Sequence, residues 1–245
     1  DTWLPASKAW VLFKLGKYEE AITVAKNGLS RGAEISRTLN ILAIVLSVSN
    51  RREDGLEIFK NAIEIEQSMG ELGRAATPMN NAGEVYRELF KEDRAEKMWR
   101  DALARHDGCE HILPSNNLAT LYLDEMKLLA AERALQDFQA CFANHTIRQD
   151  SEHKNVLSKM RGKIALRAGN PALAISYLED ALARTQWFGK IGTSIEDLRF
   201  TTLASLAQSY HAYAETLTDK ADISLINKLR YTPDSLWFKL RAKWL

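Results

Sequence analysis

Two groups of residues in this 245-residue sequence have the types and spacing to do chemistry. The denser is His106-Asp107-Gly108-Cys109-Glu110-His111, which puts two histidines, a cysteine and two acids into six residues. Each can ligate a transition metal. Structural zinc sites, however, draw their ligands as spaced pairs, and this run does not, so it reads as a turn between helices with no metal expected. The second group is spread along the chain: Asn40, Asn80, Asn116 and Lys159, with Ile44, Glu84, Thr120 and Lys163 four residues further on in each case. Amides donate and accept hydrogen bonds at once, a capacity that suits gripping a peptide backbone and not making or breaking bonds.

Other chemistry has no carrier. The sequence contains neither of the glycine-rich phosphate loops, G-x-x-x-x-G-K-[ST] and G-x-G-x-x-G, nor the metalloprotease H-E-x-x-H or the nucleophile elbow G-x-S-x-G. No catalytic residue and no cofactor is therefore assigned, and a non-enzymatic role is expected. Mixed charges at helical spacing, such as Glu92 to Glu96 with Lys91, Arg94 and Lys97, read as solvated faces. Lys plus Arg number 33 against 32 Asp plus Glu, a net charge of +1. That balance gives no long-range attraction for nucleic acid. No run reaches the roughly 18 apolar residues of a spanning helix, so membrane insertion by this segment is not expected. Two cysteines, Cys109 and Cys141, are too few for a disulfide framework. In the register below they fall on neighbouring repeats, whose helices pack about 8–10 Å apart, beyond the roughly 7 Å that a disulfide spans. Free thiols point to a reducing compartment such as the cytoplasm.

The elements that position these residues follow from internal periodicity. Gly16-Lys17-Tyr18-Glu19-Glu20-Ala21-Ile22, then Ala25, Gly28 and Leu29, is a tight turn followed by a helix with small residues on one face. The same column recurs at Gly55 with Phe59 and Ala62, at Ala95 with Trp99 and Ala102, at Ala131 with Leu135 and Phe138, and at Ala174 with Leu178 and Ala181. A preceding helix supplies Ala43 and Leu46, Gly83 and Tyr86, then Ala119 and Tyr122. The first step is 34 residues, the period of a two-helix repeat, and later steps are longer through insertions between repeats. Tyr86, Tyr122 and Tyr177 fall at packing positions. Thr77-Pro78 and Leu113-Pro114 place proline in the first turn of a first helix, where its missing N–H costs nothing, and Asn170 is the expected N-cap before Pro171.

This column resembles the tetratricopeptide repeat over roughly residues 6–185. Asn116-Asn117-Leu118-Ala119-Thr120-Leu121-Tyr122 and Asn80-Asn81-Ala82-Gly83-Glu84-Val85-Tyr86 are further similar to the Asn-Asn-Leu-Ala repeats of kinesin light chains and their bacterial relatives. The resemblance implies an all-α, right-handed superhelical solenoid of five to six repeats whose first helices line a concave groove that holds a peptide or a helix of a partner. The sequence departs from the usual pattern at Asn50 and Phe90, which stand where a turn glycine is common, and it lacks the charged clamp that reads a chaperone C-terminus. The groove residues implied are Asn40, Asn80, Glu84, Asn116, Thr120, Lys159 and Lys163. The two lysines favour an acidic stretch of the partner. The same asparagines could instead tie neighbouring helices together or face water.

The expected organisation is a repeat array over 1–231, its last repeat (193–231) divergent, with Ile195 to about Leu217 as a strong helix. A terminal helix follows at 232–245, opened by Thr232-Pro233 and carrying Trp237 and Trp244. That helix is either a cap or the start of a further repeat in a longer protein, in which case its tryptophans favour self-association. Function is expected to be that of a non-catalytic protein-binding scaffold. The alternative is a regulatory or sensor segment of a larger signalling or transcription protein.

Overall fold

The computed structural model describes residues 4–32, 34–71, 73–105, 112–144, 151–185 and 193–216. Among them are eleven helices and no strand. The helices are α1 (Leu4–Lys14), α2 (Tyr18–Ser30), α3 (Ile35–Val48), α4 (Arg52–Ser68), α5 (Ala76–Glu88) and α6 (Glu92–Ala104), followed by α7 (Ile112–Asp124), α8 (Leu128–Asn144), α9 (Ser151–Arg167), α10 (Pro171–Thr185) and α11 (Thr193–Thr216). The all-helical repeat fold expected from the periodicity is the fold observed. The histidine-cysteine run 106–111, the side chain of Cys141, and everything from 217 onward lie outside the described residues. So do the second helix of the divergent repeat and the terminal helix with Trp237 and Trp244.

The repeating column of the sequence is the buried column of the fold. Ala21, Ala95, Ala131 and Ala174 are fully buried, as are Phe59, Trp99 and Leu178 one turn on and Ala62, Ala102 and Ala181 beyond them. Small residues let the backbones of a helix pair approach, and a large side chain from the second helix fills the space left on the first. A β-carbon added at Gly83 in α5 would lie 2.8 Å from Trp99 Cδ1 of α6, and one at Gly162 in α9 would lie 2.9 Å from Leu178 Cδ2 of α10. Neither position has room for a side chain. Trp99, with no exposed surface, meets the demand for a polar partner by donating from Nε1 to the Asn80 carbonyl at 3.1 Å.

The chain divides into two compact units, Asp1–Leu121 and Tyr122–Leu245. In the first, consecutive helices from α1 to α6 pack in sequence, and first helices also meet one another, α1 on α3 and α3 on α5. In the second, α9 and α10 form the closest pair, α8 lies against α9, and α11 covers both α10 and α9. Asn155 of α9 is fully buried and donates its amide to the Ala181 carbonyl of α10. Asn170 caps α10 as expected, its Oδ1 accepting from the Leu173 N–H at 3.2 Å.

The turns inside the helix pairs all need a left-handed residue. Gly16 and Gly169 adopt φ of 74° and 75°, and the positions without glycine are forced to the same region: Asn50 at 63°, Phe90 at 55° and Met126 at 59°. Asparagine tolerates this well, but a phenylalanine pays in Cβ crowding, and Phe90 recovers nothing from burial because it is 85% exposed. Replacing Phe90 with glycine should therefore stabilise the chain by about 1 kcal/mol, read as a melting temperature higher by about 2–4 °C. A lower melting temperature would show that the ring makes a contact that the exposure does not reveal.

Candidate functional site: an amide face on the first helices

Three successive first helices of the first unit bring amide side chains to one face. Asn40 sits on α3, Asn80, Asn81 and Glu84 on α5, and Asn116, Asn117 and Thr120 on α7. Asn80 is held 97% away from solvent by the Trp99 contact on the same turn, and is the one fully buried member of the group. A buried amide needs partners for both ends, and it finds them here among its neighbours. Asn117 Nδ2 donates to Asn80 Oδ1 at 3.1 Å and to Glu84 Oε1 at 3.1 Å. Asn80 Nδ2 donates to Glu84 Oε1 at 3.2 Å and to Asn81 Oδ1 at 3.3 Å, and Asn81 Nδ2 donates to Asn40 Oδ1 at 3.0 Å. A continuous chain of hydrogen bonds thus runs from α7 through α5 to α3.

The structure brings Asn40, Asn80 and Glu84 of the expected set together, but the residues that cross between helices are Asn81 and Asn117, one position further on. The Asn-Asn doublets carried that signal, since the two members of a doublet point about 100° apart on a helix. Asn116 is half-buried and its side chain makes no hydrogen bond among the described residues; its carbonyl accepts from Thr120 Oγ1 at 2.8 Å. Asn40 Nδ2 and Asn117 Oδ1 are likewise without a partner among the described residues. The face therefore combines an internally bonded line with several open donors and acceptors.

Lys159 and Lys163 belong to the second unit, one turn apart on α9. Lys159 Nζ donates to Thr201 Oγ1 of α11 at 2.6 Å. Burial, and after it the repulsion of Lys163, push its ammonium down to about 8. Nearby on α9 and α10, Ser158 donates to Asp180, which also accepts two hydrogen bonds from Arg184 and is held below the usual carboxylate range chiefly by them. Tyr210 of α11 donates to Glu179, and burial raises its phenol well above the ordinary value. Among the described residues no cluster of histidine, cysteine and acid could hold a metal ion. No described helix is long and apolar enough to cross a membrane.

Residues 76–106, which span α5 and α6 and the centre of the amide face, match the tetratricopeptide repeat. The fold is that of a tetratricopeptide-repeat protein. Solved structures similar to this chain agree. BtubC (BKLC) from P. vanneervenii is 21% identical with a TM-score of 0.62, over 76% of this chain and 80% of that one. The Cut9 and Hcn1 hetero-tetramer of the APC/C aligns with 18% identity and a TM-score of 0.65, over 94% of this chain and 39% of that one. PilW, a type IV pilus biogenesis factor, aligns over 98% of both chains with 16% identity and a TM-score of 0.59. No curated protein is matched by the sequence. In the tetratricopeptide register, Gly83 and Trp99 are the small and large packing positions of the matched repeat, and Asn80 and Glu84 lie on the turns flanking Gly83.

Two outcomes follow from this geometry. Asn80→Ala removes a buried amide and leaves its neighbours without partners, at a cost of about 1–3 kcal/mol, whereas Asn116→Ala should stay within about 0.5 kcal/mol of the parent; chemical denaturation separates the two, and equal losses would contradict the hydrogen-bond assignment. Lys159 has an unperturbed value of 10.5 in the unfolded chain and about 8 when folded. Between those values the unfolded state binds the extra proton, so stability should rise as pH climbs from about 8 towards 10.5. Lys159→Met should flatten that slope in melts taken across the range.

Proposed function

We propose that this chain is a non-catalytic scaffold that holds a peptide or a helix of another protein on the amide face of its first helices. What supports this most is the unfinished hydrogen bonding of that face. The full amide of Asn116, the Nδ2 of Asn40 and the Oδ1 of Asn117 stand open beside a line of amides already fixed by one another. An extended backbone offers alternating donors and acceptors of matching kind, and the fixed line lowers the ordering cost of meeting it. Asn80 acts here as a positioning residue, buried behind the face, and Thr120 donates from Oγ1 to the Asn116 carbonyl one turn before it. Cut9, which shares the fold, was solved assembled with Hcn1, so an array of this kind is compatible with a protein partner.

In the second unit, Lys159 and Lys163 favour an acidic stretch of the partner. Salt screens such an attraction, so that contribution should fall as ionic strength rises.

The test is selection of displayed random peptides on the immobilised full chain, followed by titration of a selected peptide against parent and Asn116→Ala. Loss of one or two hydrogen bonds should weaken binding about three- to tenfold with no change in melting temperature. Failure to select any peptide, or selected peptides indifferent to both Asn116→Ala and Asn40→Ala, would remove the amide face as the binding surface.

A further inference from the structure

We infer that Glu84 is the receptor for a basic side chain, lysine or arginine, of the segment bound on the amide face, an inference that rests on the peptide-holding reading of that face. Glu84 stands at the middle of the three linked helices and is exposed. Its Oε1 accepts from both Asn80 and Asn117, which fixes the direction of the carboxylate. Among the described residues Oε2 has no hydrogen-bond donor and no basic side chain pairs with the group.

Several other surface acids have a cation three or four residues away or across a helix pair, such as Glu20 with Lys17, Asp54 with Arg51, Glu88 with Arg52, Glu96 with Arg100 and Asp101 with Lys97. Glu84 instead receives two neutral donors, one from a nearly fully buried asparagine and one from the next first helix. A long flexible side chain held in one direction, charged, and left open on its outer oxygen is preorganised for a cation. The chemistry also limits how that cation binds. Both lone pairs of Oε1 are already engaged, so a guanidinium cannot form its two-pronged contact. Approach is end-on to Oε2, which lysine and arginine manage equally.

The experiment selects displayed random peptides on the full wild-type chain and, in parallel, on Glu84→Gln. Glutamine keeps an oxygen to accept from Asn80 and Asn117 and replaces the outer oxygen and its charge with an NH2, and matching melting temperatures will verify that the fold is intact. Lysine and arginine should be enriched at one position of the wild-type peptides and not of the Glu84→Gln peptides. A synthetic copy of a wild-type peptide should bind Glu84→Gln about tenfold or more weakly, the range for losing a charge-assisted hydrogen bond. Its affinity for the wild type should fall between about 0.05 M and about 0.5 M salt, and Glu84→Lys should shift the enriched residue to aspartate or glutamate. Peptides selected without a basic position, or with one that persists on Glu84→Gln, would overturn this inference while leaving the peptide-holding reading in place. Selection of no peptide at all would overturn both.

Discussion

Each helix pair depends on one close approach, in which a first helix offers a residue with little or no side chain and the second helix fills the space. Gly83 and Trp99, Gly162 and Leu178, and Ala43 and Phe59 are all sixteen residues apart. The glycines admit no β-carbon, and Ala43 is fully buried in the same cluster as Phe59. The distance between helices at these points is set by backbone meeting side chain, which leaves no freedom for the pair to slide. In the third pair the constraint reaches the amide face directly. The indole that packs on Gly83 also donates to the carbonyl of Asn80, so the same side chain that closes the core holds the turn from which Asn80, Asn81 and Glu84 project.

The register was legible because it depends on residue size, and size is written in the sequence. Ala21, Gly55, Ala95, Ala131 and Ala174 could be aligned by eye and all proved buried. Local backbone chemistry was legible for the same reason. Asn170 capped its helix, and Asn50 and Phe90, standing where glycine is usual, took the left-handed conformation that the turn requires. The amide face was legible only in part. Choosing between Asn80 and Asn81, or Asn116 and Asn117, as the residue that crosses to the next helix needs the rotation of one helix against its neighbour. That angle is fixed by contacts such as Trp99 on Gly83 and cannot be read from spacing in one helix. The partial burial of Lys159 behind Thr201 of α11 was invisible for a similar reason, since α11 belongs to the stretch where the repeat pattern loosens.

Neutral amides do here what ion pairs do elsewhere on the surface. The surface pairs, such as Lys17 with Glu20 and Lys97 with Asp101, mostly join residues three or four apart in sequence and contribute little to stability in water. The seam between first helices is half-buried, where an ion pair would lose hydration without full compensation. Asparagine avoids that penalty, and its short side chain restricts the geometries in which it can bond. Glu84 is the exception, a charge admitted to the seam with its inner oxygen saturated by two amides and its outer oxygen in solvent.

The line from Asn117 to Asn40 has a mechanical consequence. Hydrogen bonds of 3.0–3.3 Å joining three helices in series tolerate only small shear before they break, so α3, α5 and the start of α7 resist sliding past one another along their axes. On the peptide-holding reading proposed above, such a surface would act as a ruler and not as a glove: its contact points stand at fixed intervals, and a guest would have to match those intervals along its own length. Discrimination would then come from the spacing of residues in the guest as much as from their identity, and a guest that fits would not have to wait for the surface to rearrange.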